Sequence, residues 1–250
     1  MNGKRLIVLF LVLTFFCSAC QKEQTGDLSL FFNFNVKGDK FVPNQQIYTN
    51  ASGNRYEIND IMFFISNVCL HKSDGSMIKS DQIHYVDYSI FTSKAWGVQA
   101  FPVGDYDAVS FTFGIPDAQN TNYRFVNPPE CDMYWPMVLG GGYHYMKING
   151  KWKAADGEVK PFNMHSGRGQ IYDEEGEIIN FIDNSFVVTI PCHFTVSKSG
   201  TYLTLTMDLN QWFDGPSTFD LDYWGGSIMQ NQAAQEVLKS NGPSVWTIQY

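Results

Sequence analysis

The sequence predicts an all-β protein, an antiparallel β-sandwich with one short α-helix near its C-terminus. Three observations lead to this prediction. Apolar residues alternate with polar ones along several segments, which is the period of a strand with one buried face. Turn-forming residues separate those segments. Aromatic residues make up 16% of the chain, with 20 Phe, 13 Tyr and 6 Trp, and such rings pack well on a pleated surface.

The alternation is clearest in three segments, each of which places a row of apolar side chains on one face. These rows are Leu28, Leu30, Phe32, Phe34 and Val36; Phe186, Val188, Ile190, Cys192, Phe194 and Val196; and Leu203, Leu205, Met207 and Leu209. Further β-like segments are 61–70, 83–88, 106–113, 143–148 and 245–249. Turns are predicted at Lys37-Gly38-Asp39, Asp74-Gly75, Asn149-Gly150, Asp156-Gly157 and Ser199-Gly200. We therefore expect one sandwich of many short strands.

One helix is predicted close to the C-terminus. Ser227 and Gln230 have the spacing of a capping box, which predicts that the helix begins there. An apolar stripe with helical spacing follows, formed by Met229, Ala233, Ala234, Val237 and Leu238. Asn241, Gly242 and Pro243 predict its end, because glycine and proline favour helix termination.

The first twenty residues have the layout of a secretion signal. Two cations, Lys4 and Arg5, precede the uncharged segment 6–16, which is shorter than the roughly 20 apolar residues of a membrane-spanning helix. Small residues then precede Cys20, as in bacterial lipoproteins, so Cys20 is the predicted lipid attachment site. Cleavage near Ala19 without lipidation is the alternative. The predicted organisation is a lipoprotein signal at 1–20, a polar tether at 21–26 and a single β-sandwich domain at 27–250.

The charge of the mature chain argues against nucleic acid as a partner. Removal of residues 1–20 leaves 15 basic and 25 acidic residues, a formal charge of −10. An acidic surface repels a phosphate backbone. No basic amphipathic segment is present to bind a membrane, so membrane association should come from the lipid. We expect the protein in the bacterial cell envelope, anchored in the outer membrane.

The mature domain has three further cysteines, Cys69, Cys131 and Cys192, so at most one disulfide can form within it. An exported compartment permits that bond, but the sequence leaves the pair open. No nucleophile elbow, zinc-protease motif or acid–base pair is recognisable in the mature chain. We therefore expect a protein that is not an enzyme.

The middle of the chain has the composition of a metal-binding region. Residues 133–147 combine aromatic rings and thioethers with three consecutive glycines and His144, and His165 follows in segment 162–167. Methionine and neutral histidine suit copper better than calcium or magnesium. The two histidines could meet across a sheet and bind such an ion. The alternative is an aromatic core in which hydrogen bonds satisfy the histidine nitrogens.

Several short motifs, taken in order, resemble the MbnP-like family. They are Phe63 to Leu70, Gly104-Asp105-Tyr106 with Phe113-Gly114-Ile115, Met133-Tyr134-Trp135, Gly142-Tyr143 with Met146-Lys147, and His165-Ser166-Gly167. The resemblance extends from about residue 27 to residue 250. This family comprises secreted or lipid-anchored copper-associated proteins, named after a partner of methanobactin systems. The resemblance implies an all-β sandwich that binds copper outside the cytoplasm.

The resemblance also implies a site. In some relatives histidines act together with an oxidised tryptophan. His165 matches the family's His-x-Gly position, and Trp135 matches the first Trp of its Met-x-Trp motif. Met137 stands where a second Trp usually follows, a departure that puts a tryptophan-derived ligand in question, and His144 could replace it. The predicted metal-site residues are thus His144, His165 and Trp135, with Met133, Met137 and Met164 as further soft-donor candidates.

Two functional hypotheses follow. In the first, the protein captures or stores copper at the envelope, and its affinity falls as pH falls and the imidazoles become protonated. In the second, it is a glycan- or protein-binding module that uses Trp96, Trp212 and Trp224 as exposed aromatic platforms. A separate group of acidic residues, Asp214, Asp220 and Asp222, lacks the spacing of a calcium loop and is interpreted as a solvated loop.

Overall fold

The structure, a computed structural model, describes residues 23–250, and the predicted secretion signal and Cys20 lie outside this range. The strands are β1 (Thr25–Val36), β2 (Asp39–Lys40), β3 (Tyr48–Thr49), β4 (Arg55–His71), β5 (Met77–Lys79), β6 (Ile83–Asp87), β7 (Ala95–Pro102), β8 (Gly104–Phe113), β9 (Met146–Lys153), β10 (Val159–Ser166), β11 (Gly169–Tyr172), β12 (Ile178–Ile182), β13 (Phe186–Val196), β14 (Thr201–Asp208) and β15 (Trp246–Gln249). The helices are α1 (Gln211–Asp214), α2 (Leu221–Trp224) and α3 (Gln232–Asn241), and the 3-10 helices are Thr92–Lys94, Glu130–Met133, Met137–Leu139 and Gly242–Val245.

Two sheets pack as a sandwich. The larger sheet has the order β10-β9-β4-β8-β13, and β3, β5 and β6 pair with further parts of the 17-residue β4. The smaller sheet has the order β15-β14-β1-β2, with β7 also paired to β1, and β11 and β12 form a separate hairpin. All pairs are antiparallel except β1 with β14, which are parallel. This architecture confirms the predicted fold class.

The main core lies between the two sheets. Phe32 of β1 meets Phe63 of β4 edge to face across the sandwich, with ring centroids 6.2 Å apart. The apolar rows predicted on β1, β13 and β14 are buried or partly buried against this core. Burial of one such side chain contributes about 1.5–3 kcal/mol, so the period-two pattern fixes which face of each strand turns inward.

The predicted helix corresponds to α3, but its start was predicted wrongly. The residue that caps α3 is Asn231, whose side chain accepts a hydrogen bond from the backbone N–H of Ala234. The capping box predicted from Ser227 therefore does not begin the helix, and Met229 lies before it. The end at Asn241 is as predicted, and Ala234 and Leu238 are buried on one face. The four-residue helices α1 and α2 were not predicted.

The structure also shows where the domain begins and the state of its cysteines. Because β1 begins at Thr25, the last two residues of the predicted tether at 21–26 belong to the sheet. Cys69 and Cys192 are buried and Cys131 is partly exposed, and within residues 23–250 all three are free thiols. None of the helices in this range has the length and apolar character required to cross a bilayer.

Candidate metal centre

The hairpin of β9 and β10, at one edge of the larger sheet, positions both predicted histidines. Lys147 of β9 and His165 of β10 are cross-strand partners. His144 precedes β9 by two residues, and the backbone N–H of Tyr145 donates to the carbonyl of Ser166 at 2.8 Å. This bond continues the pairing beyond β9 and brings His144 beside the end of β10.

Three consecutive glycines bring Trp135 back to the same place. Gly140, Gly141 and Gly142 have φ values of 109°, 65° and 81°, which residues other than glycine rarely adopt. The turn lets the backbone N–H of Trp135 donate to the carbonyl of Gly142 at 2.9 Å. A Cβ at Gly142 would lie 2.6 Å from Oδ1 of Asn120, so this glycine is also required by the close approach of its neighbour.

Three aromatic rings meet where these segments converge. The ring centroids of His144 and His165 are 5.1 Å apart with planes at 86°, and those of Trp135 and His144 are 4.7 Å apart with planes at 77°. Trp135 and His144 are buried, and His165 is partly exposed. A Cβ at Gly167 would lie 2.6 Å from the Trp135 ring, which explains why glycine follows His165 at this spacing.

The hydrogen bonds of His144 leave one of its nitrogens free. Nδ1 lies 3.0 Å from the carbonyl oxygen of Met133, and a carbonyl can only accept, so Nδ1 carries the proton. Nε2 is then an unprotonated acceptor. It is fully buried and has no hydrogen-bond partner among residues 23–250. An unpaired buried nitrogen is unfavourable, because water no longer solvates its lone pair.

His165 presents a second nitrogen of the same kind. Its Nε2 donates to Oδ1 of Asn149 at 2.7 Å, so its Nδ1 carries no proton. Met133 and Asn149 therefore play the same part for the two rings. Each accepts from one nitrogen of an imidazole and leaves the other nitrogen as a free electron-pair donor.

Both imidazoles are neutral at neutral pH. Burial lowers the pKa of His144 to about 3, and the positive charge of Lys147 adds to this effect. Burial likewise lowers the pKa of His165 to about 4, again with a contribution from Lys147. The Lys147 ammonium donates to the carbonyl of Asp132 at 2.7 Å, which fixes a cation close to both rings.

The remaining predicted site residues take different positions. Met133 is buried and contacts His144 through its backbone carbonyl. Trp135 donates its indole N–H to the carbonyl of Leu139 at 3.0 Å, so the unmodified ring forms a wall of the site and offers no lone pair. Met164 precedes His165 on β10, points to the opposite face and packs in the main core. Met137 lies half exposed in its 3-10 helix. The structure therefore brings together His144, His165 and Trp135.

The other three histidines make hydrogen bonds and stacking contacts that support the fold. His193 is exposed and lies 2.8 Å from Asp107, and His71 lies 2.7 Å from the Ser110 hydroxyl. His84 is partly buried. Its ring is stacked between Trp96 and Phe32, and its Nε2 donates to a backbone carbonyl.

The surface of exposed tryptophans considered as an alternative does not form as predicted. Trp96 and Trp212 are buried, so the prediction that they are exposed aromatic platforms is wrong. Trp224 is half buried and stacks on Phe219. Asp222 accepts from the Trp152 indole and a backbone N–H, and Asp214 from Asn210 and a backbone N–H. These two carboxylates therefore accept hydrogen bonds from other parts of the same chain.

Asn149 was missed by the sequence reasoning. Asn149-Gly150 was interpreted as a turn, but both residues lie within β9, and the hairpin turns at the later Asp156-Gly157 signal. Gly150 lies there because a Cβ would be 2.1 Å from the carbonyl oxygen of Glu57 on β4. The signal that could have placed Asn149 correctly is the alternation Met146, Ile148, Gly150, Trp152, which continues across the dipeptide.

The centre offers two neutral imidazole nitrogens and no carboxylate. Within residues 23–250, no group of three or more His, Cys, Asp and Glu side chains is arranged to hold a metal. Hard cations such as calcium require several oxygen ligands, which this pair of rings does not supply. Uncharged nitrogens of moderate softness suit late first-row metals, and copper in particular.

Comparisons with known proteins support the same architecture and identify a family. A model of the MbnP family matches residues 25–231. The fold is similar to the solved structure of MbnP from Methylosinus trichosporium, with a TM-score of 0.57 and 12% sequence identity over 90% of this chain and 98% of that one. Among curated proteins, none matches the chain significantly. Because the family model covers most of the sequence, the chain belongs to the MbnP family.

Proposed function

We propose that this chain is an exported, lipid-anchored protein that binds copper and captures or stores it at the cell envelope, without catalytic turnover. His144 and His165 are the proposed ligands. The observation that carries the proposal is Nε2 of His144, which lies next to a second neutral imidazole and is buried without a hydrogen-bond partner in the described part of the chain. A bound metal ion would satisfy that lone pair and remove the unfavourable burial.

The surroundings of the ring pair favour Cu(I) over divalent ions. Cu(I) carries a single charge and tolerates low coordination numbers, whereas divalent ions gain more from anionic ligands. The fixed ammonium of Lys147 lies near both rings and opposes a second positive charge more strongly than a first. The copper association implied by the family resemblance supports the same choice of metal.

The proposal is tested by measuring metal bound to purified residues 21–250. We expect a single copper per chain by mass spectrometry, and Cu(I) titration against a competing chelator should give a Kd tighter than micromolar. The His144→Ala/His165→Ala double variant should retain none. His193→Ala is the matched control, because it removes an exposed histidine whose partner is Asp107. Copper retention by the double variant, or no tight site in the wild type, would contradict the proposal.

The proposed anchor is tested separately from the metal. In the full-length chain expressed in a bacterial host, Cys20→Ser should abolish incorporation of labelled fatty acid and move the protein from the membrane fraction to the soluble envelope fraction. Copper binding by the released protein should be unchanged, because Cys20 precedes the described domain. Fatty-acid labelling that persists in this variant would disprove lipidation at Cys20.

A further inference from the structure

The imidazole of His165 is the last member of a hydrogen-bond chain that crosses three strands. Its Nε2 lies 2.7 Å from Oδ1 of Asn149, and Nδ2 of Asn149 lies 3.3 Å from a carboxylate oxygen of Asp60. Asp60 on β4 and Asn149 on β9 are cross-strand partners. Asn149 and His165 are diagonal neighbours across β9 and β10, which puts the three side chains on one face of the sheet.

The chemistry of these groups fixes the direction of every bond in the chain. An ionised carboxylate can only accept, so the NH₂ group of the Asn149 amide must face Asp60. The amide oxygen then faces His165 and can only accept from it. Nε2 of His165 must therefore carry the proton, and Nδ1 must be the free nitrogen.

We propose that Asn149, anchored by Asp60, is a positioning residue that sets the tautomer of His165 and so selects Nδ1 as its metal-binding nitrogen. The inference rests on the proposed copper function. In His144 the backbone carbonyl of Met133 fixes the opposite tautomer, with Nδ1 protonated and Nε2 free, and no substitution can reverse a carbonyl. The tautomer of His165 depends instead on the side-chain amide of Asn149. A rotation of 180° exchanges the positions of the oxygen acceptor and the NH₂ donor of such an amide.

The experiment exploits that difference by replacing the exposed Asp60 with a donor. In Asp60→Lys, the ammonium can only donate, so the Asn149 oxygen should turn toward it and the NH₂ group toward His165. His165 Nε2 must then accept, and the proton moves to Nδ1. Nitrogen-15 NMR of the metal-free protein reports which ring nitrogen carries the proton. We expect Nε2–H in the wild type and Nδ1–H in the variant, with Cu(I) affinity lowered about 10–100-fold.

A second substitution separates the tautomer from the change of charge. In Asp60→Lys/Asn149→Asp, the new carboxylate can accept both from Lys at 60 and from His165, so it should restore the Nε2–H tautomer and most of the Cu(I) affinity. The control is Asp81→Lys, which changes the net charge equally at an exposed site on the loop before β6. It should change neither the tautomer nor the affinity.

The outcomes distinguish this inference from the proposed function. Nε2–H persisting in Asp60→Lys, or no rescue by Asn149→Asp, would overturn the role of Asn149 even if the wild type binds copper. The expected tautomer switch in a protein that binds no Cu(I) would instead overturn the proposed function, and the selection of a metal-binding nitrogen with it. A switch accompanied by weakened binding and rescue would establish both.

Discussion

Two imidazole sites in this sandwich differ in one respect that matters for function. His84 is stacked between Trp96 and Phe32, with ring centroids 5.0 and 5.9 Å away and planes within 17°, and its Nε2 donates to the carbonyl of Ser93. The ring of His144 instead lies nearly perpendicular to those of Trp135 and His165, and its buried Nε2 has no partner among the described residues. Burial lowers the pKa of both His84 and His144.

The comparison shows that burial and a lowered pKa do not by themselves identify a ligand. Both sites hold a neutral ring, yet the stack on His84 uses its faces for packing and its proton for a backbone carbonyl. What distinguishes the His144 site is a lone pair that the protein leaves unused. We therefore expect substitutions at the His144 site to change mainly copper affinity and substitutions at the His84 site to change mainly stability.

The largest expected effect is the loss of copper affinity in His144→Ala. Removing the ring takes away the buried unpaired nitrogen, and we expect the Kd for Cu(I) to rise by about three orders of magnitude, or about 4 kcal/mol. The matched substitution at the other site, His84→Phe, keeps an aromatic ring in the stack and should leave the Kd unchanged. Competition titration with a Cu(I) chelator measures both. Equal losses in the two variants would show that copper binding depends on general packing.

An effect of similar size should fall on stability at the other site. Trp96 is buried and covers one face of His84, so Trp96→Ala should lower the free energy of unfolding by about 3–5 kcal/mol. The Kd for Cu(I) should change little in the fraction that remains folded. Chemical denaturation of the metal-free protein gives the first quantity and chelator competition the second. Copper binding that is lost in a fully folded Trp96→Ala would contradict the separation of the two regions.

The pH dependence of copper binding sharpens the comparison further. The pKa values of His144 and His165 are lowered to about 3 and about 4, so protons compete with the metal only below these values. The Kd for Cu(I) should therefore stay constant from pH ~7 to ~5 and rise about tenfold per pH unit below pH ~4 as His165 becomes protonated. A pair of exposed histidines would lose affinity from pH ~6.5 downward. Affinity that declines near that higher pH would show that the site is open to water.

The sequence predicted the sandwich well because a half-buried strand repeats every two residues. The rows on β1, β13 and β14 carry this period throughout and face the core as expected. The parallel pairing of β1 with β14 was not foreseen, since alternation along one strand carries no information about the direction of its neighbour.

The candidate site was predicted in part. His144, His165 and Trp135 converge, because His165 lies on the β9–β10 hairpin, His144 lies just before it and a glycine turn brings Trp135 back to both. The roles of Asn149 and of the Met133 carbonyl could not be predicted, since a tautomer depends on atoms brought together by the sheet register. Asn149-Gly150 also has the composition of a turn, and only the pairing with β4 shows that it continues a strand.

The smallest expected effect tests whether adjacent residues on β10 serve different regions. Met164 lies in the main core and His165 in the candidate centre, because successive side chains of a strand point to opposite faces. Met164→Leu conserves volume, so the free energy of unfolding should fall by less than about 1.5 kcal/mol. The Kd for Cu(I) should stay within about twofold of the wild type, because the thioether points away from the rings. Chelator competition on Met164→Leu and on His165→Ala in parallel tests this expectation. A tenfold loss of Cu(I) affinity in Met164→Leu would show that the Met164 thioether is a metal ligand.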